Sequence, residues 1–157
     1  TSDYSGQTWL QGGYEWFESV LQPIFRYGES KERIGFCGDT ALIQINRLIR
    51  SMGWEQLTPQ TKVFGIQVFD WMSPAGIVHL WTHPLFSQMS SMRRSILLYD
   101  PVDVIYRPFA GRDTAKKDVT PAGFDGYMEE TKTECTLELH FPEKFGFLSG
   151  VGLDNNV

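Results

Sequence analysis

Residues 127–141 read YMEETKTECTLELHF, and the alternation within them decides what kind of chain this is. Tyr127, Glu129, Thr131, Thr133, Cys135, Leu137, Leu139 and Phe141 fall on one side of an extended backbone. Met128, Glu130, Lys132, Glu134, Thr136, Glu138 and His140 fall on the other. Successive side chains of a strand point to opposite faces, so this spacing predicts one long strand, apolar on one face from Cys135 onward and charged on the other. At about 3.3 Å per residue, the thirteen residues 129–141 would extend roughly 43 Å. Such a strand is expected to project beyond one compact body. With its apolar face buried, Leu137→Asp is expected to cost several kcal/mol and Glu138→Lys little.

Downstream, FGFLSGVG (145–152) reads as a short final strand. Upstream, residues 110–126 combine Arg112, Asp113, Lys116, Lys117 and Asp118 with Pro121, Gly123 and Gly126, and read as a long exposed loop. Before it, SILLYDPVDVIYRPF (95–109) reads as two short strands around Asp100-Pro101. TKVFGIQVFDWM (61–72) and IVHLWTHPLF (77–86) read as two strands joined through Ser73-Pro74-Ala75-Gly76, after a polar turn at Thr58-Pro59-Gln60. Residues 87–94 (SQMSSMRR) form a polar linker.

The N-terminal third is helical in pattern. Leu10, Tyr14, Phe17, Leu21 and Ile24 recur at helical spacing, with Gly13–Gln22 the dependable stretch because Pro23 should kink or end the helix. ERIGFCG (32–38) is a short strand. Asp39 then stands where an N-cap belongs, and Leu42, Ile45, Ile49 and Met52 share one face of a second helix that Gly53 stops.

Composition bounds the function. A chain of 157 residues is one domain's length, with room for a sub-domain. Five Trp, six Tyr and eleven Phe, at roughly 200 Å² each, need a core or partner subunits, which excludes a disordered chain. Fourteen basic against nineteen acidic residues give a net charge of −5, the wrong sign for a chain that wraps nucleic acid. No apolar run long enough for a membrane span and no signal peptide is visible, so a soluble, cytosolic chain is expected. It begins at Thr1 and is expected to be a piece of something longer.

Candidate chemistry is sparse. His79 and His83, read on a strand, lie on the same side about 13 Å apart, too far for one metal ion. Cys37 ends a strand just before a helix N-terminus, where a thiol pKa falls. A nucleophile there would need a base from His79, His83 or His140, and a small buried residue before a glycine turn is the simpler reading. Gly35 and Gly38 form no phosphate-binding pattern. Glu130, Glu134 and Glu138 follow the wetted face of the long strand, where a partner would meet them. The doublets Arg93-Arg94 and Lys116-Lys117, with Arg107 and Arg112, fit rim charges facing acids on a neighbouring copy.

The order of elements carries a resemblance. The helix ending in Phe25-Arg26-Tyr27-Gly28, Phe36-Cys37-Gly38 with its following helix, VFGIQVFDWMSPAGIVHLWTHPLF (63–86), LLYDPVDVIYRPFAGRDTAKKD (97–118) and ETKTECTLELHFPEKFGFLSGV (130–151) resemble the later part of a tailed-bacteriophage major capsid protein. The resemblance implies an α+β chain of Hong Kong 97-like fold. Residues 1–99 would be axial-domain-like, with helices packed on a central sheet. Residues 100–143 would be peripheral-domain-like strands and loop, and 144–157 a return strand and tail. Nothing in the chain resembles that family's N-terminal arm, extended loop or long spine helix.

It further implies a structural subunit, not an enzyme, that self-assembles into pentamers and hexamers of a closed icosahedral shell enclosing viral DNA. No cofactor or metal is expected. Partners would be copies of the same subunit, with portal, scaffolding or decoration proteins also possible, and packaged DNA touched only non-specifically. Membranes play no part. The location would be the virion capsid, assembled in the host bacterial cytoplasm. Arg93, Arg94, Arg107, Arg112, Lys116, Lys117, Glu130 and Glu134 are the expected inter-subunit contacts. The rival readings are an enzyme with Cys37 as nucleophile, and a tail or connector component.

Overall fold

The computed structural model describes residues 6–53, 61–63 and 66–154. The turn expected at 58–60 lies outside the described residues. The chain is mixed α+β and divides into two units, one made of the residues up to Pro101 together with those from Phe141, the other of Val102–His140.

The first unit places two helices on one face of a six-stranded sheet. In chain order it holds α1 (Trp9–Arg26), β1 (Glu32–Cys37), α2 (Asp39–Ser51), β2 (Thr61–Val63), β3 (Ile66–Ser73), β4 (Gly76–Thr82), a single helical turn α3 (Pro84–Gln88) and β5 (Ile96–Tyr99). The last strand, β10 (Gly146–Leu148), comes after the second unit. The sheet order is β10-β5-β1-β4-β3-β2, with β1 and β4 parallel and the other pairs antiparallel.

Alternation divides the sheet into an inner and an outer face. Gly35 and Cys37 of β1, Trp71 of β3, Val78 and Leu80 of β4, Ile96 and Leu98 of β5 and Leu148 of β10 are buried on the inner face. Against them pack Phe17, Leu21, Ile24 and Phe25 from α1 and Ala41, Leu42, Ile45, Leu48 and Ile49 from α2. Each of the Val, Leu, Ile and Phe side chains among them contributes about 1.5–3 kcal/mol relative to exposure. The Trp9 indole N–H donates to the Gln44 carbonyl at 2.9 Å and ties the two helices. Gly38, the N-cap of α2, allows a close approach: a Cβ there would lie 2.2 Å from the backbone oxygen of Arg93.

The outer face stays half-exposed. It carries Glu32, Ile34 and Phe36 of β1, Ile77, His79 and Trp81 of β4, Leu97 and Tyr99 of β5, Asp70 and Met72 of β3, and Phe147 of β10. The Phe36 ring lies 4.8 Å from Trp81 and 5.2 Å from Tyr99, centroid to centroid.

Several expectations are corrected. Phe17, Leu21 and Ile24 of the expected α1 stripe are buried, but at the helix start Leu10 is exposed and Trp9 takes the buried place. Pro23 does not end α1, which runs on to Arg26. The lost N–H affects only the last turns, and the Arg33 guanidinium gathers the carbonyls of Ile24 and Tyr27 at the helix end. Asp39 is the first helical residue rather than the cap, its carboxylate accepting from the Thr40 N–H. His83 and Pro84 leave the strand to start α3, because proline suits a first helical turn.

The second unit is a two-stranded ribbon. Strand β6 (Val104–Pro108) pairs with β9 (Cys135–Leu139), and β7 (Ala115–Asp118) with β8 (Glu129–Lys132), both antiparallel. Thus 110–126 is not all loop, and the expected strand over 127–141 is broken at Thr133-Glu134. The cause is opposite: between Pro108 and Ala115 the partner strand inserts six residues where this one has two. Phe109 donates to the Glu134 carbonyl, and Glu134 to the Arg112 carbonyl, bridging the gap. The alternation itself holds, since Val104, Tyr106 and Pro108 face the same side as Leu139, Leu137 and Cys135. That side is not buried. Tyr106 is 50% exposed, Leu137 63% and Leu139 60%, so the expected folding cost of Leu137→Asp does not arise within this chain.

Candidate functional site

Two surfaces stand out, the ribbon and the outer sheet face. The ribbon's apolar side is open, and its other side is a ladder of charges. Glu134 receives both oxygens' hydrogen bonds from Arg112, at 3.0 and 2.8 Å, and an ion pair from Lys132 at 2.7 Å. Arg107 donates to Glu138, which also meets His140 Nε2 at 2.7 Å. On the opposite face of β7 and β8, Lys116 lies 3.5 Å from Glu129. Lys117 stands opposite Glu130 in the register, and among the described residues neither forms an ion pair.

These contacts move protonation. Hydrogen bonds from Lys132 and then Arg112 hold the Glu134 carboxyl below its ordinary value, and Arg107 and then His140 do the same for Glu138. Lys132 is raised by its bond to Glu134. The Tyr106 phenol is pushed up to about 12, first by its hydrogen bond with the Cys135 thiol. A carboxyl depressed in the folded state stabilises above its unfolded pKa, near 4.3 for Glu. That contribution is lost as pH falls through the lower folded value. The ribbon is therefore expected to lose amide protection below about pH 4 before the body's core does. Hydrogen exchange normalised to intrinsic rates reads this, and simultaneous loss in both units would refute it.

Of the remaining expected contacts, Arg93 donates to the Ser87 carbonyl at 2.8 Å and lies 4.0 Å from Asp39. Arg94 donates to the Gly152 carbonyl at 3.0 Å. Both thus help fasten loops of the first unit. The structure gathers Arg107, Arg112, Lys116, Lys117, Glu130 and Glu134 on the ribbon and leaves Arg93 and Arg94 in the other unit.

The histidines do not converge. His79 Nδ1 lies 2.6 Å from Asp70 and its Nε2 3.9 Å from Glu32, on the outer face. His83 caps α3, accepting from the Leu85 N–H.

Cys37 is fully buried, its thiol donating to the Trp81 carbonyl at 3.0 Å, and burial pushes its pKa up to about 12. Hardly any thiolate forms there near neutrality, so the reading of Cys37 as a nucleophile loses its reactive species. Iodoacetamide on the folded protein at neutral pH is expected to modify exposed Cys135 and leave Cys37 untouched until denaturant is added. Peptide mass spectrometry distinguishes the two, and rapid labelling of Cys37 in the native state would contradict its burial.

Sequence reasoning missed a buried charge cluster. Arg33 points inward from β1 and meets Asp100 at 3.2 Å, both almost inaccessible, with Lys144 3.9 Å from the same carboxylate oxygen. The only signal was its place in ERIGFC, on the same alternation phase as Gly35 and Cys37. Arg47 and Arg50 lie off the apolar face of α2, as their spacing predicts, and exposed Ile43, which the spacing did not single out, completes one outward stripe with them, four and three residues apart.

A scan of family models matches residues 14–152 to the family described as SU10 major capsid protein. No curated protein matches the chain.

Proposed function

Because this chain belongs to the SU10 major capsid protein family, and so is a structural subunit of a phage capsid, we propose that it has the Hong Kong 97-type fold and self-assembles into pentamers and hexamers of a closed shell around viral DNA. The helix-backed sheet serves as the axial domain, the ribbon as part of the peripheral domain, and β10 as the return strand. The shell assembles in the host bacterial cytoplasm and becomes the virion capsid. Portal, scaffolding or decoration proteins join the same surfaces, and DNA is enclosed without specific recognition.

The observation that carries this reading is the ribbon. An isolated two-stranded ribbon is marginal in water, yet this one presents Tyr106, Leu137 and Leu139 at half exposure or more. Apolar surface of that kind marks a contact with something further. In a shell the subunit must offer different patches to different neighbours, since head-to-tail contacts close into rings. The ladder of Arg107, Arg112, Lys116, Lys117, Glu130 and Glu134 supplies exchangeable charges for those contacts, with Arg93 and Arg94 on the other unit.

Light scattering and electron microscopy of the intact gene product test the reading. Closed shells are expected. A strictly monomeric species at every concentration and salt would overturn it, and open rings or tubes would favour a tail or connector component instead.

A further inference from the structure

We infer that, in the assemblies proposed above, the outer sheet face of one copy is covered by helix α2 of the next copy, so that a neighbour supplies the sheet's missing helical layer. Helices α1 and α2 lie on the inner face, while the outer face keeps its aromatic centre of Phe36, Trp81 and Tyr99 half-exposed, with the His83 ring beside Phe36. Phe147, 57% exposed, extends that apolar surface at the β10 end. At the opposite end the face turns acidic. Glu32 is 69% exposed in its side chain, and Asp70 lies beyond it beside His79.

Helix α2 carries the complement. Ile43 is 53% exposed, and Arg47 and Arg50 follow it at i+4 and i+7, one stripe of the helix surface. Among the described residues, neither arginine forms an ion pair. An apolar anchor flanked by two guanidinium groups suits an aromatic surface edged with carboxylates, because arginine both stacks on rings and pairs with acids.

Charge also selects the occupant and its orientation. Two outer faces laid together would offer Glu32 and Asp70 no arginine, and two α2 stripes would offer Arg47 and Arg50 no carboxylate, so neither pairing gains from the charges. Outer face against α2 pairs opposite signs. It joins two different surfaces of the same unit, so it is head-to-tail and suited to ring closure. The inference rests on self-assembly and names the surfaces that mediate it.

The test uses the intact gene product with Glu32→Arg, Arg47→Glu and the two combined. Sedimentation velocity gives the concentration at which particles form, and thermal melting confirms that each variant folds. Each single variant is expected to raise that concentration at least about tenfold, and the combined variant to bring it back toward wild type. Singles that assemble like wild type would overturn the inference and leave the proposed function standing. Loss in the singles without recovery in the combination would also overturn it, since the residues would then not face each other. Should Arg47→Glu fail to fold, Arg50→Glu takes its place. A wild-type product that never assembles refutes the proposed function itself.

Discussion

Replacing Asp100 by Ala is expected to destabilise the chain by about 3–5 kcal/mol and to lower its melting temperature by roughly 10 °C or more. The carboxylate meets both the Arg33 guanidinium and the Lys144 ammonium, and Arg33 and Asp100 are shut off from water. Without it, Arg33 loses a charged hydrogen bond at a place that water does not reach. Arg33 also donates to the carbonyls of Ser30 and Glu32, besides those of Ile24 and Tyr27, so it cannot swing out to water without abandoning the end of α1 and the start of β1. Arg33→Met combined with Asp100→Leu should recover a large part of the loss, because a buried ion pair is costly to break and inexpensive to replace by apolar groups of similar volume. Differential scanning calorimetry of the three chains decides. A melting temperature for Asp100→Ala within a degree or two of wild type would mean that the cluster is hydrated after all.

The second large effect is on assembly and not on folding. Leu137→Asp should melt like wild type, since the side chain is already mostly in water, and yet abolish particle formation by the intact gene product. The carboxylate would sit on the ribbon's apolar side between Cys135 and Leu139 and opposite Tyr106, where any covering surface would have to bury it. Glu138→Lys on the charged side is the control. It exchanges an attraction with Arg107 for a repulsion on a wetted face and is expected to reduce particle yield only modestly. Normal shells from Leu137→Asp would show that this side of the ribbon stays open in the capsid.

That pair of variants also shows how far the sequence could be read. Alternation over 127–141 places Leu137 and Glu138 on opposite faces, because facing is a local property of an extended backbone. Whether the apolar face is covered depends on other surfaces, which no local pattern records. The break at Thr133-Glu134 was hidden for a related reason: its cause is the insertion between Pro108 and Ala115, on the other strand. Helix α2 was legible, since Leu42, Ile45 and Ile49 follow a local repeat. The β3–β4 hairpin was legible too, its turn announced by Pro74-Ala75-Gly76. The parallel pairing of β1 with β4 was not, nor the inward turn of Arg33, because Ile34 and Phe36 look like the core side of that strand. Both of its faces are in fact lined with side chains, one against helices and one toward the outside. On the ribbon, Arg107, Arg112, Lys116 and Glu134 answer first to partners within their own chain. The basic stripe of α2, hidden among ordinary surface arginines, acquires meaning only beside the acidic edge of the sheet.

The connection between β5 and β10 has one more consequence. These strands are neighbours in the sheet, yet residues 102–140 intervene between them, so the ribbon is an excursion in the chain between two paired strands of the sheet. Its far tip, 121–126, is exposed throughout and includes Gly123 at a φ of +88°, a conformation that glycine adopts without strain. An insertion at that tip is therefore expected to leave the core of the first unit undisturbed, since it interrupts no buried backbone.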